Sequence, residues 1–165
     1  MPTIVGVPRE IKADEHRVAV APSGAHFLVD AGHRVIVEGG AGSDSGIPDR
    51  EYIEAGAEIV EGPTRVFAES SIIVKVKEPQ PEEYPRIHSG HTVFTYFHFA
   101  ASRELTRAML DSGATCVAYE TIRDRAGHVG HPLKAPLVHE TLAVVREVEQ
   151  PPLERCATDV GDEDL

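Results

Sequence analysis

The sequence has no tryptophan, only 5% aromatic residues and only two cysteines in 165 positions. Each shortage excludes something. With so few rings, stacking platforms for nucleic-acid bases are poorly supplied. Cys116 and Cys156 stand far apart and form no ligand-like pair, so no disulfide is expected and a reducing compartment is consistent. Positive charge is also scarce: 16 Lys and Arg face 27 Asp and Glu, a formal net charge of −11. That balance repels the nucleic-acid backbone and anionic membranes. No apolar run approaches the roughly 20 residues that cross a bilayer, and the opening MPTIVGVPREIK lacks the charged start and apolar centre of a secretory signal. A cytoplasmic protein is expected. Internal repeats and long low-complexity segments are absent as well.

The 41% of apolar residues is enough for one real core and suggests one domain. Short β-branched runs predict strands over residues 3–7, 34–38, 57–60, 71–77, 92–97 and 114–119. Between them, helices are expected over 22–31, 49–55, 63–69 and 103–111, with a helical turn over 81–87 introduced by Pro81. Asp49 and Ser102 are the expected helix starts, and Gly32, Gly56 and Gly113 the stops. This alternation indicates an α/β fold, a mostly parallel sheet with helices on both faces in a Rossmann-like three-layer arrangement. Helix spacing recurs over 138–148, and from residue 150 an acidic, polar tail reads as disordered.

Ligands of open α/β sheets bind outside the carboxyl ends of the strands, so ionisable residues there are the candidates. Ile72, Ile73, Val74 and Val76 form a near-continuous apolar run that stops at Lys77, and the run over 92–97 delivers His98 to the same kind of position. Tyr119 and Glu120 stand at a third strand end; Glu120 either orients Lys77 or His98 or hydrogen-bonds the backbone. Arg17 lies within a brief apolar return, where its planar fork suits a small carboxylic acid, or else it pairs with Glu10, Asp14 or Glu15. A lysine closing a strand is also an ordinary solvated stop, and a lone histidine among aromatics an ordinary packed one. The glycines of EGGAGSDSGIPD follow a strand, but Ile47, Pro48 and Asp49 separate them from any apolar helix, so no dinucleotide fingerprint is read there. His88 with His91, and His128 with His131, have metal-like separations but no cysteine or carboxylate completing a set, and no metal is expected.

The wording around these positions resembles a known family. GVPREIKADEHRVAVAP, VKVKEP, TYFHFAAS, YET and HPLKAP are similar to segments of the alanine dehydrogenases, whose N-terminal region is shared with the alpha subunit of proton-translocating nicotinamide nucleotide transhydrogenase. The resemblance runs to about residue 136, within an expected domain of 1–149, with 150–165 as the tail. It implies an NAD-dependent interconversion of L-alanine with pyruvate and ammonium. By the family pattern Arg17 would bind the substrate carboxylate, Lys77 would hydrogen-bond its carboxylate or carbonyl oxygen, and His98 would be the general acid and base, with Glu120 a further substrate-binding candidate. Histidine suits proton transfer near neutrality, and lysine supplies a point charge where negative charge develops on oxygen. The family keeps its dinucleotide motif in a later domain, which this sequence is expected to lack, so a nucleotide-binding domain or further copies of the chain are the implied partners. The transhydrogenase branch typically lacks the counterparts of Lys77 and His98, which leaves it as the alternative; a non-catalytic partner-binding domain is the third reading.

Overall fold

The computed structural model describes residues 2–122. The helix expected over 138–148, the tail from residue 150, and Cys156, His128 and His131 lie outside the described residues. Within them, six strands form one sheet: β1 (Ile4–Val7), β2 (Arg34–Glu38), β3 (Glu58–Val60), β4 (Ile72–Lys77), β5 (Thr92–Tyr96) and β6 (Thr115–Ala118). Their order across the sheet is β3-β2-β1-β4-β5-β6, and every neighbouring pair is parallel. The helices are α1 (Pro22–Asp30), α2 (Asp49–Glu54), α3 (Pro63–Glu69) and α4 (Arg103–Ser112). The predicted α/β architecture, with a parallel sheet and helices on both faces, is therefore the one observed.

The chain first winds outward from β1 to β3, then returns to the other side of β1 and winds outward from β4 to β6. Right-handed crossovers require the helices to change face when the direction of winding reverses. Accordingly, Ala25 and Leu28 of α1 and Tyr52 of α2 share a core with Val5, Val7, Val35, Val37, Ile72 and Val74. Phe67 of α3 and Leu105 and Met109 of α4 pack with Ile73 and Val93 on the opposite face. Central strands covered on both faces need apolar residues at successive positions, which explains the runs rather than alternations in their sequences.

Local signals are kept with small differences. Ser102 caps α4, its hydroxyl accepting the Leu105 N–H at 3.2 Å, and Gly113 closes the helix in the left-handed region at φ 68°. Asp49 does not cap α2: Pro48 holds that position, and the Asp49 carboxylate instead takes the Gly40 N–H at 2.8 Å. The helical turn expected over 81–87 begins as a hydrogen-bonded turn over 81–83, which Pro81 introduces and in which the Glu83 N–H donates to the Gln80 carbonyl at 2.8 Å, and it continues as a 3-10 turn at Tyr84–Arg86. Proline's fixed φ and missing N–H suit the first position of such a turn, and the Glu83 side chain closes it by accepting the Gln80 N–H.

Gly6, in the middle of β1, lets α3 approach the sheet. A Cβ there would lie 2.3 Å from Ser70 Oγ and 2.9 Å from Ser70 Cβ. Gly6→Ala is expected to lower stability by about 1–3 kcal/mol, the usual cost of overpacking a core. Urea unfolding followed by circular dichroism measures it, and an unchanged midpoint would mean that α3 shifts aside without cost.

Candidate functional site

Strand order reverses between β1 and β4, and such a switch point leaves a crevice beyond the carboxyl ends of the two strands. Four segments meet there: the loop after β1 with Glu10, Glu15 and Arg17, the end of β4 with Lys77, the end of β5 with His98, and the turn after β6 with Tyr119 and Glu120.

Lys77 reaches the crevice through an irregularity in the sheet. Val74 stands opposite Phe94 and Lys77 opposite Tyr96, so β4 carries one residue more than β5 over this stretch. Val74 and Val76 face the core under α1 and α2, and Ile73 faces the other side. Strict alternation would send Lys77 to the side of Ile73 and Lys75. The extra residue of a β-bulge returns it to the side of Tyr96, and its Nζ lies 5.1 Å from that ring's centroid.

A bulge leaves backbone groups without ladder partners, and buried groups of that kind need others. Here side chains supply them. The Val76 N–H donates to Glu10 Oε1 at 2.6 Å, and the Val76 carbonyl accepts the Tyr119 hydroxyl at 2.7 Å. The Lys77 carbonyl accepts the Thr95 hydroxyl at 2.8 Å. Burial pushes the Tyr119 hydroxyl up to about 12, which keeps it protonated as a donor.

His98 follows β5 in a left-handed conformation, φ 50°, that few non-glycine residues adopt. Glu120 holds it there: its Oε1 accepts the N–H groups of Phe97 and His98 at 3.1 and 2.9 Å. The strand expected over 92–97 stops at Tyr96 for this reason, because the chain must turn to present His98. The imidazole is exposed, with its ring 5.6 Å from that of Tyr96. The Tyr96 ring thus lies near both Lys77 and His98. Of the two roles open to Glu120 from sequence, its geometry in this structure is that of a carboxylate bound to backbone; its other oxygen is buried without a hydrogen-bond partner.

Arg17 is paired with Glu15, donating from Nε at 2.7 Å and from Nη2 at 2.6 Å. Its side chain is nonetheless 58% exposed, whereas that of Glu15 is buried at 6%. Glu15 therefore grips one edge of the guanidinium and leaves the outer edge toward solvent. Hydrogen bonds from Arg17 hold the Glu15 carboxyl down at about 2, helped by the charge of Lys77. Both cations of the crevice thus act on one buried carboxylate.

Lys75 and Glu83 were not singled out from the sequence, and Glu10 and Tyr119 were named there with other roles than the ones they have here. Lys75 is fully buried, with Nζ 3.1 Å from Glu10 Oε2 and 2.8 Å from Glu83 Oε1. A lysine inside an otherwise apolar strand was the available signal. Elsewhere, His88 and His91 stack at 3.8 Å, and His91 Nε2 meets the Phe67 carbonyl at 2.8 Å.

A family model described as alanine dehydrogenase/PNT, N-terminal domain, matches residues 6–133. The alanine dehydrogenase of Halomonas elongata is 49% identical over 133 residues, covering 81% of this chain and 35% of its own length. Among solved structures, an L-alanine dehydrogenase superposes with a TM-score of 0.74 at 41% identity, over 76% of this chain and 35% of its own. The transhydrogenase from Sinorhizobium meliloti gives a TM-score of 0.68 at 33% identity, over 74% of this chain and 34% of its own. The chain thus spans about a third of the length of these relatives.

The Glu15–Arg17 pair carries a pH signature. A carboxyl whose folded pKa is depressed from 4.5 to about 2 adds stability above pH 4.5 that is lost as pH falls toward 2. Glu10 acts in the opposite sense, since burial raises its pKa and its contribution fades as pH rises through the folded value. The difference between parent and Glu15→Gln isolates the first effect. Between about pH 4.5 and 2.5 the thermal midpoint of the parent should fall more steeply than that of Glu15→Gln; parallel curves would show that the pair contributes nothing.

Proposed function

The chain belongs to the alanine dehydrogenase/PNT N-terminal domain family, and from that premise we propose that it is the substrate-binding domain of an NAD-dependent L-alanine dehydrogenase. The overall reaction is oxidative deamination of L-alanine to pyruvate and ammonium, with NAD reduced. The observation that supports the reading is that Lys77 Nζ and the His98 ring lie 5.1 and 5.6 Å from the centroid of the Tyr96 ring, while Lys77 also acts by its charge on Glu15, the carboxylate that holds Arg17. A small 2-oxo acid presents a carboxylate and a carbonyl oxygen on adjacent carbons, and these are the groups such a trio can hold. The outer edge of Arg17 takes the carboxylate as a two-pronged pair. Lys77 donates to the carbonyl oxygen, where negative charge grows as carbon is reduced. His98, exposed and held in a fixed turn, exchanges a proton with the reacting oxygen.

NAD is the hydride carrier that the family implies, and the described residues do not fit it. The loop after β2 commits the Gly40 N–H to Asp49 and the Ile47 N–H to the Gly42 carbonyl, and α2 behind it has a carboxylate in its first turn. A pyrophosphate needs free N–H groups at a helix start. The chemistry assigned to this chain is therefore substrate binding and proton movement, and a nucleotide-binding domain is the partner that the proposal requires. No helix among the described residues is long and apolar enough to cross a membrane; a cytoplasmic location belongs to the same proposal.

The similarity to the Sinorhizobium meliloti transhydrogenase supports a second reading, a transhydrogenase domain with no keto-acid substrate. The two differ in ligand. Calorimetric titration of the chain with pyruvate should show binding that Arg17→Lys and Lys77→Ala each weaken by roughly tenfold or more, since hydrogen bonds to charged groups are worth about 1.5–3 kcal/mol. Absence of pyruvate binding by the parent would favour the transhydrogenase reading, and equal affinity in Arg17→Lys would remove the two-pronged carboxylate grip.

A further inference from the structure

Lys75 is the most deeply buried charge in the described residues, and neither substrate binding nor proton transfer uses it. An isolated ammonium in a protein core is strongly unfavourable, and even a paired one is often no more stabilising than an apolar residue of the same size. Stability alone therefore does not explain it. The two carboxylates around it do more than neutralise it. Glu10 places Oε2 3.1 Å from Lys75 Nζ and gives Oε1 to the Val76 N–H at 2.6 Å. Glu83 places Oε1 2.8 Å from the same Nζ and gives Oε2 to the Gln80 N–H at 2.8 Å. Val76 immediately precedes Lys77, and Gln80 lies in the turn that follows it. One buried cation thus joins two carboxylates whose other oxygens grip the backbone on both sides of Lys77. Tyr119 adds a third hold, on the Val76 carbonyl at 2.7 Å.

We propose that Glu10, Lys75 and Glu83, seconded by Tyr119, are positioning residues that clamp the β4 bulge and thereby aim Lys77 into the crevice. Without the clamp the extra residue of the bulge has no partners for its N–H and carbonyl, and the strand gains by slipping to regular pairing. Slippage by one residue would carry Lys77 to the opposite face of the sheet. Glu10 must supply two acceptor oxygens, one to the Val76 N–H and one to Lys75, which a carboxylate does and a glutamine amide, with one oxygen and one donor NH2, does not. This gives the proposal a discriminating pair of variants: Glu10→Ala opens the clamp, and Glu82→Ala, at an exposed carboxylate outside it, does not.

The functional half of the proposal rests on Lys77 as a substrate contact; the positional half is measured without any ligand. Lysines are reductively methylated with ¹³C-formaldehyde, and the Lys77 dimethyl resonance is assigned by its loss in Lys77→Arg. In the parent it should be displaced by the ring current of Tyr96. Glu82→Ala should leave it in place, while Glu10→Ala, folded by circular dichroism, should return it to the position of an exposed lysine. Pyruvate affinity should follow the resonance, unchanged within about twofold in Glu82→Ala and weakened roughly tenfold in Glu10→Ala. Tyr119→Phe keeps the ring against Phe94 and loses only the hydroxyl; it should move the same resonance in the same direction, and it decides the matter if Glu10→Ala does not fold. A Lys77 resonance unmoved in Glu10→Ala, or in Tyr119→Phe where that variant decides, overturns the proposal. If the resonance responds as expected and the parent binds no pyruvate, the clamp stands and the substrate assignment falls.

Discussion

One hydrogen bond, from the Val76 N–H to the Glu10 carboxylate, ties together the parts of this molecule on which the candidate site depends. It spans the switch point of the sheet, joining the loop after β1 to the end of β4. A parallel sheet satisfies its backbone through the ladder, and the ladder fails where β4 carries its extra residue. Glu10 and Tyr119 repair that failure from two different segments of the chain, and Lys77 stands directly after the repair. The local irregularity and the proposed substrate contact are thus the same feature.

The same logic recurs around the crevice. Glu120 uses a carboxylate to hold the left-handed backbone at His98, and Glu15 uses one to fix the guanidinium of Arg17. Each candidate residue has an acidic partner that sets its direction while leaving its working surface open. Fixing these groups in advance lowers the ordering cost of binding. Several carboxylates of this acidic chain are turned inward there, on backbone N–H groups or on the cation they orient.

Much of this was legible in the sequence. Apolar runs such as IIVKVK and TVFTYF, separated by helix signals at Pro22, Pro63 and Ser102, were enough for a parallel sheet covered on both faces, because strands of that kind need no alternation. Lys77 and His98 were legible as strand-end residues for the same reason. What was not legible depended on contacts distant in the chain. The partner of Lys75 at Glu10, and the hydroxyl of Tyr119 on Val76, are set by topology, and no local pattern announces a bulge. Arg17 offered three acidic neighbours, and only the fold selects Glu15. The misplaced detail, Asp49 as a cap, has a similar cause: a side chain that local rules would assign to its own helix is engaged elsewhere, by the N–H of Gly40.

The central claim is that a side-chain carboxylate, rather than a neighbouring strand, holds the amide of Val76. Amide hydrogen exchange by nuclear magnetic resonance tests it at that one position, compared with Ile73 in the regular part of β4. The account predicts a Val76 amide protected to within about tenfold of Ile73 in the parent, and an amide that loses this protection selectively in Glu10→Ala while Ile73 keeps it. A Val76 amide that exchanges like an exposed loop residue in the parent, or that is equally protected when Glu10 has no acceptor, would contradict it.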